Sequence, residues 1–182
     1  MAAKKKKPRE LKIDLATTTI SQAQQAMLVS VKAGNSVTCP CCKQLVMLYE
    51  RPITSSMAKV LILLYSYFKN HADWLHVPGY LSEMNKIGAA VRTSDWSKLR
   101  YWGLIEEKPG ALSDGSKRAG FYKITGLGHQ FARGEVKVAK TAKVYNGRFL
   151  GFGDGQVSIQ DCLGTDLDYD RLMAGEFGSF TI

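Results

Sequence analysis

The side chains best suited to chemistry are three thiols within four residues, Cys39, Cys41 and Cys42, in the stretch Val37-Thr38-Cys39-Pro40-Cys41-Cys42-Lys43. Cys39 and Cys42 have the Cys-x-x-Cys spacing that offers two thiolates from one turn, half of a tetrahedral metal set. Zinc held structurally needs four ligands, and the sequence has no second Cys-x-x-Cys. The remaining donors are Cys41, Cys162, His71, His76 and His129. Cys41 is awkward, because adjacent side chains of an extended chain point apart. Three readings stay open: a purely structural turn, one zinc per chain at Cys39 and Cys42, or one zinc shared across a homodimer. A redox role fits poorly, since the pair does not open a helix in a βαβ unit. No other cofactor is expected.

The remaining clusters are weaker. Asp161, Asp166, Asp168 and Asp170 invite a metal-nuclease or calcium reading, but the spacing lacks the glycine and terminal glutamate of an EF-hand loop. They read as an acidic tail, either solvated and regulatory or packed on the core through Leu167, Tyr169, Leu172, Met173 and Phe177. There is no Gly-x-x-x-x-Gly-Lys-Ser/Thr loop and no Gly-x-Ser-x-Gly elbow. The chain is expected to be non-enzymatic.

The elements that must position such residues come from 182 residues, 45% hydrophobic, enough for one core with elaborations. No apolar run approaches the roughly 20 residues of a membrane span. The segment after Lys4–Lys7 is broken by Lys12, Asp14 and three threonines, unlike a secretory leader. Clustered cysteines point to a reducing compartment, so the expected location is the cytoplasm. The net charge is +9 and unevenly spread. Residues 1–12 carry six Lys/Arg against Glu10; residues 57–149 carry fifteen against seven acids; residues 150–182 carry Arg171 against six acids. A basic middle and a basic arm suit a polyanion, because neutralising phosphates releases counterions.

Periodicity sets out the elements. Residues 1–12 read as a flexible basic arm. Residues 13–56 hold a helix from about Ser21 to Ala33, with Ile20, Ala23, Met27 and Val31 at helical spacing, then the cysteine turn and a strand over Leu45–Tyr49. Ser55 or Ser56 starts a strongly apolar helix ending near His71. An extended piece (Trp74–Val77), a second helix (Tyr80–Ala90, facing inward through Leu81, Met84 and Ile87) and a third (Ser94–Trp102) follow. Strands are expected at Leu104–Glu107 and Phe121–Ile124, separated by a polar basic loop, with a short helix over Thr125–Phe131. Residues 135–182 hold a hairpin turning at Asn146-Gly147, a strand at Val157–Ile159 and a helix at Asp168–Ala174.

The stretches SDWSKLRYWGLIEEK (94–108) and GFYKITGLGHQFARG (120–134) resemble the winged helix-turn-helix families of bacterial regulators. There a recognition helix runs into a Gly-Leu-Ile strand, a wing, and a Tyr-x-Leu/Ile-Thr-x-x-Gly return. The resemblance covers residues 57–134. It implies an α+β fold with a winged-helix core, flanked by the N-terminal helix and cysteine knuckle and by the C-terminal hairpin and acidic tail. It also implies double-stranded DNA as partner, with the third helix in the major groove and loop 109–120 along phosphates or the minor groove. The implied DNA-facing residues are Arg92, Ser94, Ser97, Lys98, Tyr101, Lys108, Lys117 and Arg118, with Asp95 on the same face. Trp96 and Leu99 turn to the core, and Trp102 is read as packing. Serine, aspartate and lysine replace the Arg, Asn and Gln that read base edges, which lowers the expected sequence specificity. Winged helices also dock proteins, so a host or phage protein is the alternative partner. The layout as a whole is similar to small proteins of bacteriophage genomes, implying a regulator or accessory factor of DNA metabolism.

Overall fold

The computed structural model describes residues 8–11, 13–14, 16–91, 94–110, 120–165 and 167–177. The chain is α+β. In order come β1 (Arg9–Glu10), α1 (Ile20–Lys32), β2 (Val37–Thr38), β3 (Leu45–Val46), β4 (Tyr49–Pro52) and α2 (Ser55–Phe68). Next are β5 (Leu75–His76), α3 (Val77–Lys86), a 3₁₀ helix (Asp95–Trp102), β6 (Ile105–Glu107), β7 (Phe121–Ile124) and α4 (Gly126–Ala132). The last are β8 (Val138–Ala139), β9 (Thr141–Tyr145), β10 (Arg148–Phe152), β11 (Gln156–Val157), α5 (Ile159–Leu163) and α6 (Tyr169–Met173). Two compact units divide the chain: Met1–Arg51 with Ala142–Gly153, and Pro52–Thr141 with Asp154–Ile182. The hairpin, expected to group with the acidic tail, therefore belongs with the N-terminal segment.

The N-terminal unit is built on α1. Thr19 and Gln22 form a reciprocal capping box, Gln22 N–H donating to Thr19 Oγ1 and Thr19 N–H to Gln22 Oε1. Ala23, Met27 and Val31 recur every four residues and are buried, whereas Ile20, expected on the same face, is exposed. Met27, Val31 and Val37 form the core, with Leu11, Cys39, Val46, Leu48 and Tyr145 against it. Arg9–Glu10, expected within a flexible arm, pair in parallel with Val37–Thr38. The single strand expected over Leu45–Tyr49 is two short ones in different sheets, β3 beside β2 and β4 beside β9. The β9–β10 hairpin turns where expected, with Asn146 and Gly147 at φ 47° and 70°, the left-handed pair a two-residue type I′ turn needs.

The central unit is organised by α2, capped by Thr54 Oγ1 rather than by the serines. Every residue from Met57 to Tyr65 is buried, the mark of a helix surrounded by other elements. Around it lie the 3₁₀ helix, β7, α4, α5 and α6. The sheet runs β5-β7-β6, all antiparallel, with Ile105 opposite Ile124 and Tyr122 opposite both Glu107 and Leu75. Helix α3 starts three residues before the expected Tyr80, because Pro78 sits in the first turn, where no intrahelical N–H is required. It ends at Lys86, leaving Ile87 exposed instead of facing inward.

The C-terminal segment packs as core. Ile159, Leu163, Leu172 and Phe177 are buried, α5 and α6 touch α2, and the Tyr169 hydroxyl donates to Ala132 O. Two of the tail's acids cap helices: Asp161 closes a capping box with Ser158, and Asp168 accepts the N–H groups of Asp170 and Arg171. Among the described residues no helix is long and apolar enough to cross a membrane.

Candidate nucleic-acid interface

The face expected to meet a ligand is carried by the 3₁₀ helix. At three residues per turn, side chains three apart eclipse one another. Trp96, Leu99 and Trp102 form one such row, and all three are buried. The Trp96 ring meets Tyr122 edge-on at 4.9 Å, and the Trp102 indole N–H donates to Ala139 O at 2.7 Å. Trp102 is thus a packing residue, as the sequence implies. The helix expected over Ser94–Trp102 is present over Asp95–Trp102, and its period makes it a 3₁₀ helix.

Three local devices fix that helix. The Asn85 side-chain amide pairs with both backbone groups of Val91, donating to its carbonyl and accepting its N–H, which holds the turn leaving α3. Gly103 ends the helix at φ 68°, a conformation glycine adopts without Cβ strain. Thr125 then locks the entry to β6 against the exit of β7. Its hydroxyl donates to Gly103 O, its N–H donates to Leu104 O, and its Oγ1 accepts the Gly128 N–H. A Cβ on Gly128 would collide with the Leu104 carbonyl oxygen. Thr125 and Gly128 are therefore tied to one another and to the β6 entry by geometry.

The other two rows of the 3₁₀ helix carry the candidate contacts. Asp95, Lys98 and Tyr101 form one row, in which Lys98 Nζ is paired with Asp95 Oδ1 at 2.6 Å. Ser94, Ser97 and Arg100 form the other, with Ser94 and Arg100 exposed and Ser97 half-buried. Arg100 is missing from the expected set, and it lies over the Tyr101 ring at 5.3 Å. An α-helical period hides it; a period of three aligns it with the two serines. Arg100 and Glu107 also reach the Tyr122 hydroxyl, whose pKa is raised by burial first and then by the Glu107 carboxylate. Lys108 is half-buried at the end of β6, its ammonium 5.8 Å from the Phe121 ring. The far end of the loop is tied at Val77 N–H to Gly120 O, and His76 caps α3 by accepting the Gly79 N–H. Arg92, Lys117 and Arg118 lie outside the described residues.

The thiols divide by environment. Cys39 is pulled below its ordinary pKa because the backbone N–H groups of Cys42 and Cys41 donate to its sulfur. Cys162 is pushed up to about 11 by burial and the neighbouring Asp161 carboxylate, which makes it a poor ligand at neutral pH. Cys41 and Cys42 are exposed. Among the described residues no group of three or more His, Cys, Asp or Glu is assembled to hold a metal ion.

Comparison with family models, with curated proteins and with solved structures returns no match to this chain.

Proposed function

We propose that residues 57–134 are a winged helix and that the protein is a non-enzymatic binder of double-stranded DNA, acting as a regulator or accessory factor. The observation that carries this reading is the connectivity: α2, the short strand β5, α3, a turn held by Asn85, a third helix, and the antiparallel pair β6–β7 with β5 on the outer edge of β7. In such domains the third helix enters the major groove and the loop between the last two strands follows the backbone. Ser94, Ser97, Lys98, Arg100 and Tyr101 then face the groove, and Lys108, Lys117 and Arg118 hold phosphates. Arg92, three residues before Asp95 in the sequence, adds a further cation to the set. Hydroxyls and amines outnumber side chains that pair bidentately with a base, so backbone contacts dominate and sequence preference is shallow. The overall +9 charge supplies the long-range attraction.

A second reading, docking on a host or phage protein, draws on one observation. The described part of the face is nearly balanced, with Lys98, Arg100, Lys108 and Lys123 against Asp95, Glu106 and Glu107. A titration of the full chain against random-sequence duplex at two salt concentrations separates the two. Binding that weakens steeply with salt supports the DNA reading. No binding at the lower salt overturns it in favour of a protein partner.

A further inference from the structure

The cysteine turn lies in the N-terminal unit, and the DNA reading leaves it without a role. It closes the β2–β3 hairpin, where Val37 is opposite Val46 and Thr38 opposite Leu45. Beyond that register the Cys39 N–H donates to Gln44 O and the Lys43 N–H to Cys39 O, folding Cys39–Lys43 into one tight loop. Lys43 adopts φ 59°, unusual for a residue with a side chain, and this reverses the chain directly after Cys42. The loop gathers the backbone N–H groups and the thiols of both Cys41 and Cys42 about the Cys39 sulfur, and of the two only Cys42 has the Cys-x-x-Cys spacing of a ligand pair.

We propose that Cys39 and Cys42 are a preformed half-site for a thiophilic divalent cation, zinc in the cell, and that a second copy of this chain supplies the other half. Two thiolates do not close a structural zinc site, which needs four ligands. Among the described residues no third and fourth donor joins them. A two-fold axis through the metal would bring an identical Cys39–Cys42 pair, the simplest route to a closed four-sulfur set. Each chain releases its thiol protons on binding, and the tetrathiolate carries a net charge of about −2 around the dication. Lys43, one per copy and next in sequence to a ligand, offsets that charge. The unit also presents apolar surface for such a contact. Leu45, two residues beyond Lys43, is 50% exposed, and of the large hydrophobic side chains exposed among the described residues, Ile20, Val29, Leu45, Tyr49, Phe149 and Phe152 all belong to this unit.

The test is a titration of the reduced, metal-free full chain with zinc, and in parallel with cobalt(II), followed by absorbance and by light-scattering mass. The expected result is saturation at about half an equivalent per chain, thiolate-to-cobalt charge-transfer absorption of tetrahedral intensity, and a metal-dependent shift from monomer to dimer. Cys39→Ser and Cys42→Ser should each abolish all three, while Cys41→Ser and Cys162→Ser leave them unchanged. Helical circular dichroism of each variant establishes that it is folded. Saturation at one metal per monomeric chain, loss of binding in Cys41→Ser, or no cobalt–thiolate absorption at all would each overturn the proposal. None of these readouts depends on DNA binding, so the two readings fail separately.

Discussion

The two units of this chain solve the problem of burial differently. Phe131, Met57, Leu61–Leu64, Leu99, Leu104, Ile105, Ile159, Leu163 and Leu172, the largest fully buried side chains among the described residues, all lie in the central unit. The described part of the N-terminal unit has one small core cluster, Met27, Val31 and Val37, with only the alanines Ala23 and Ala142 buried besides, and leaves several large apolar side chains in solvent. Each fully buried aliphatic side chain contributes roughly 1.5–3 kcal/mol. The central unit therefore holds the larger share of this stabilisation, and the N-terminal one gains most from an added constraint such as a metal or a second copy. Domains too small for a full core are stabilised by the same kinds of constraint.

Three perturbations sharpen that contrast. The largest effect is expected from Gly128→Ala. The new methyl meets the Leu104 backbone and the Ile124 side chain at a point that cannot yield without separating α4 from β6. Overpacking of this kind costs about 1–3 kcal/mol, and chemical denaturation should show the loss in the central unit's transition. Next is Thr19→Ala, which removes the α1 capping box at a cost of about 1 kcal/mol. Amide exchange should accelerate in α1 and stay unchanged in α2; equal acceleration in both would mean the units do not open independently. The smallest is a pH effect at His129, held below its ordinary pKa of 6.5 by burial and then by the Arg133 charge. The unfolded chain takes up a proton as pH falls through 6.5 and the folded one resists, so this residue lowers stability on acidification below that value and has no effect above it. His129→Gln should flatten the slope of stability against pH in the range just below 6.5; an unchanged slope contradicts the assignment.

How far the sequence foretells this follows from the kind of signal involved. Helix α1 and the Asn-Gly hairpin are legible because helical spacing and a turn dipeptide are local signals, whereas the Thr19–Gln22 capping box of α1 shows only in the structure. The third helix is read in its place, but its 3₁₀ period is not, although Trp96, Leu99 and Trp102 at successive intervals of three carry it; a 3.6-residue template absorbs them. Its misreading is also what conceals Arg100. The start of α3, expected at Tyr80, lies at Val77 because a proline is accommodated in the first turn. Strands β1 and β8 are two residues long, too short for any periodicity, and exist through pairing with distant segments; the strand expected at Val157–Ile159 is β11 over Gln156–Val157, because Ser158 caps a helix that Ile159 opens. The tail's role depends on α2, more than ninety residues away in sequence, so acidity alone could not show that Leu172 and Phe177 belong to the core.

The central claim is that the 3₁₀ helix and the adjoining loop hold DNA phosphates. Its most direct test is the salt dependence of duplex binding by Lys98→Ala/Lys117→Ala/Arg118→Ala beside the parent chain. The account predicts weaker binding and a plot of log affinity against log salt that is shallower by about one unit for each lost contact. A folded triple variant with the parent's affinity and slope would contradict it.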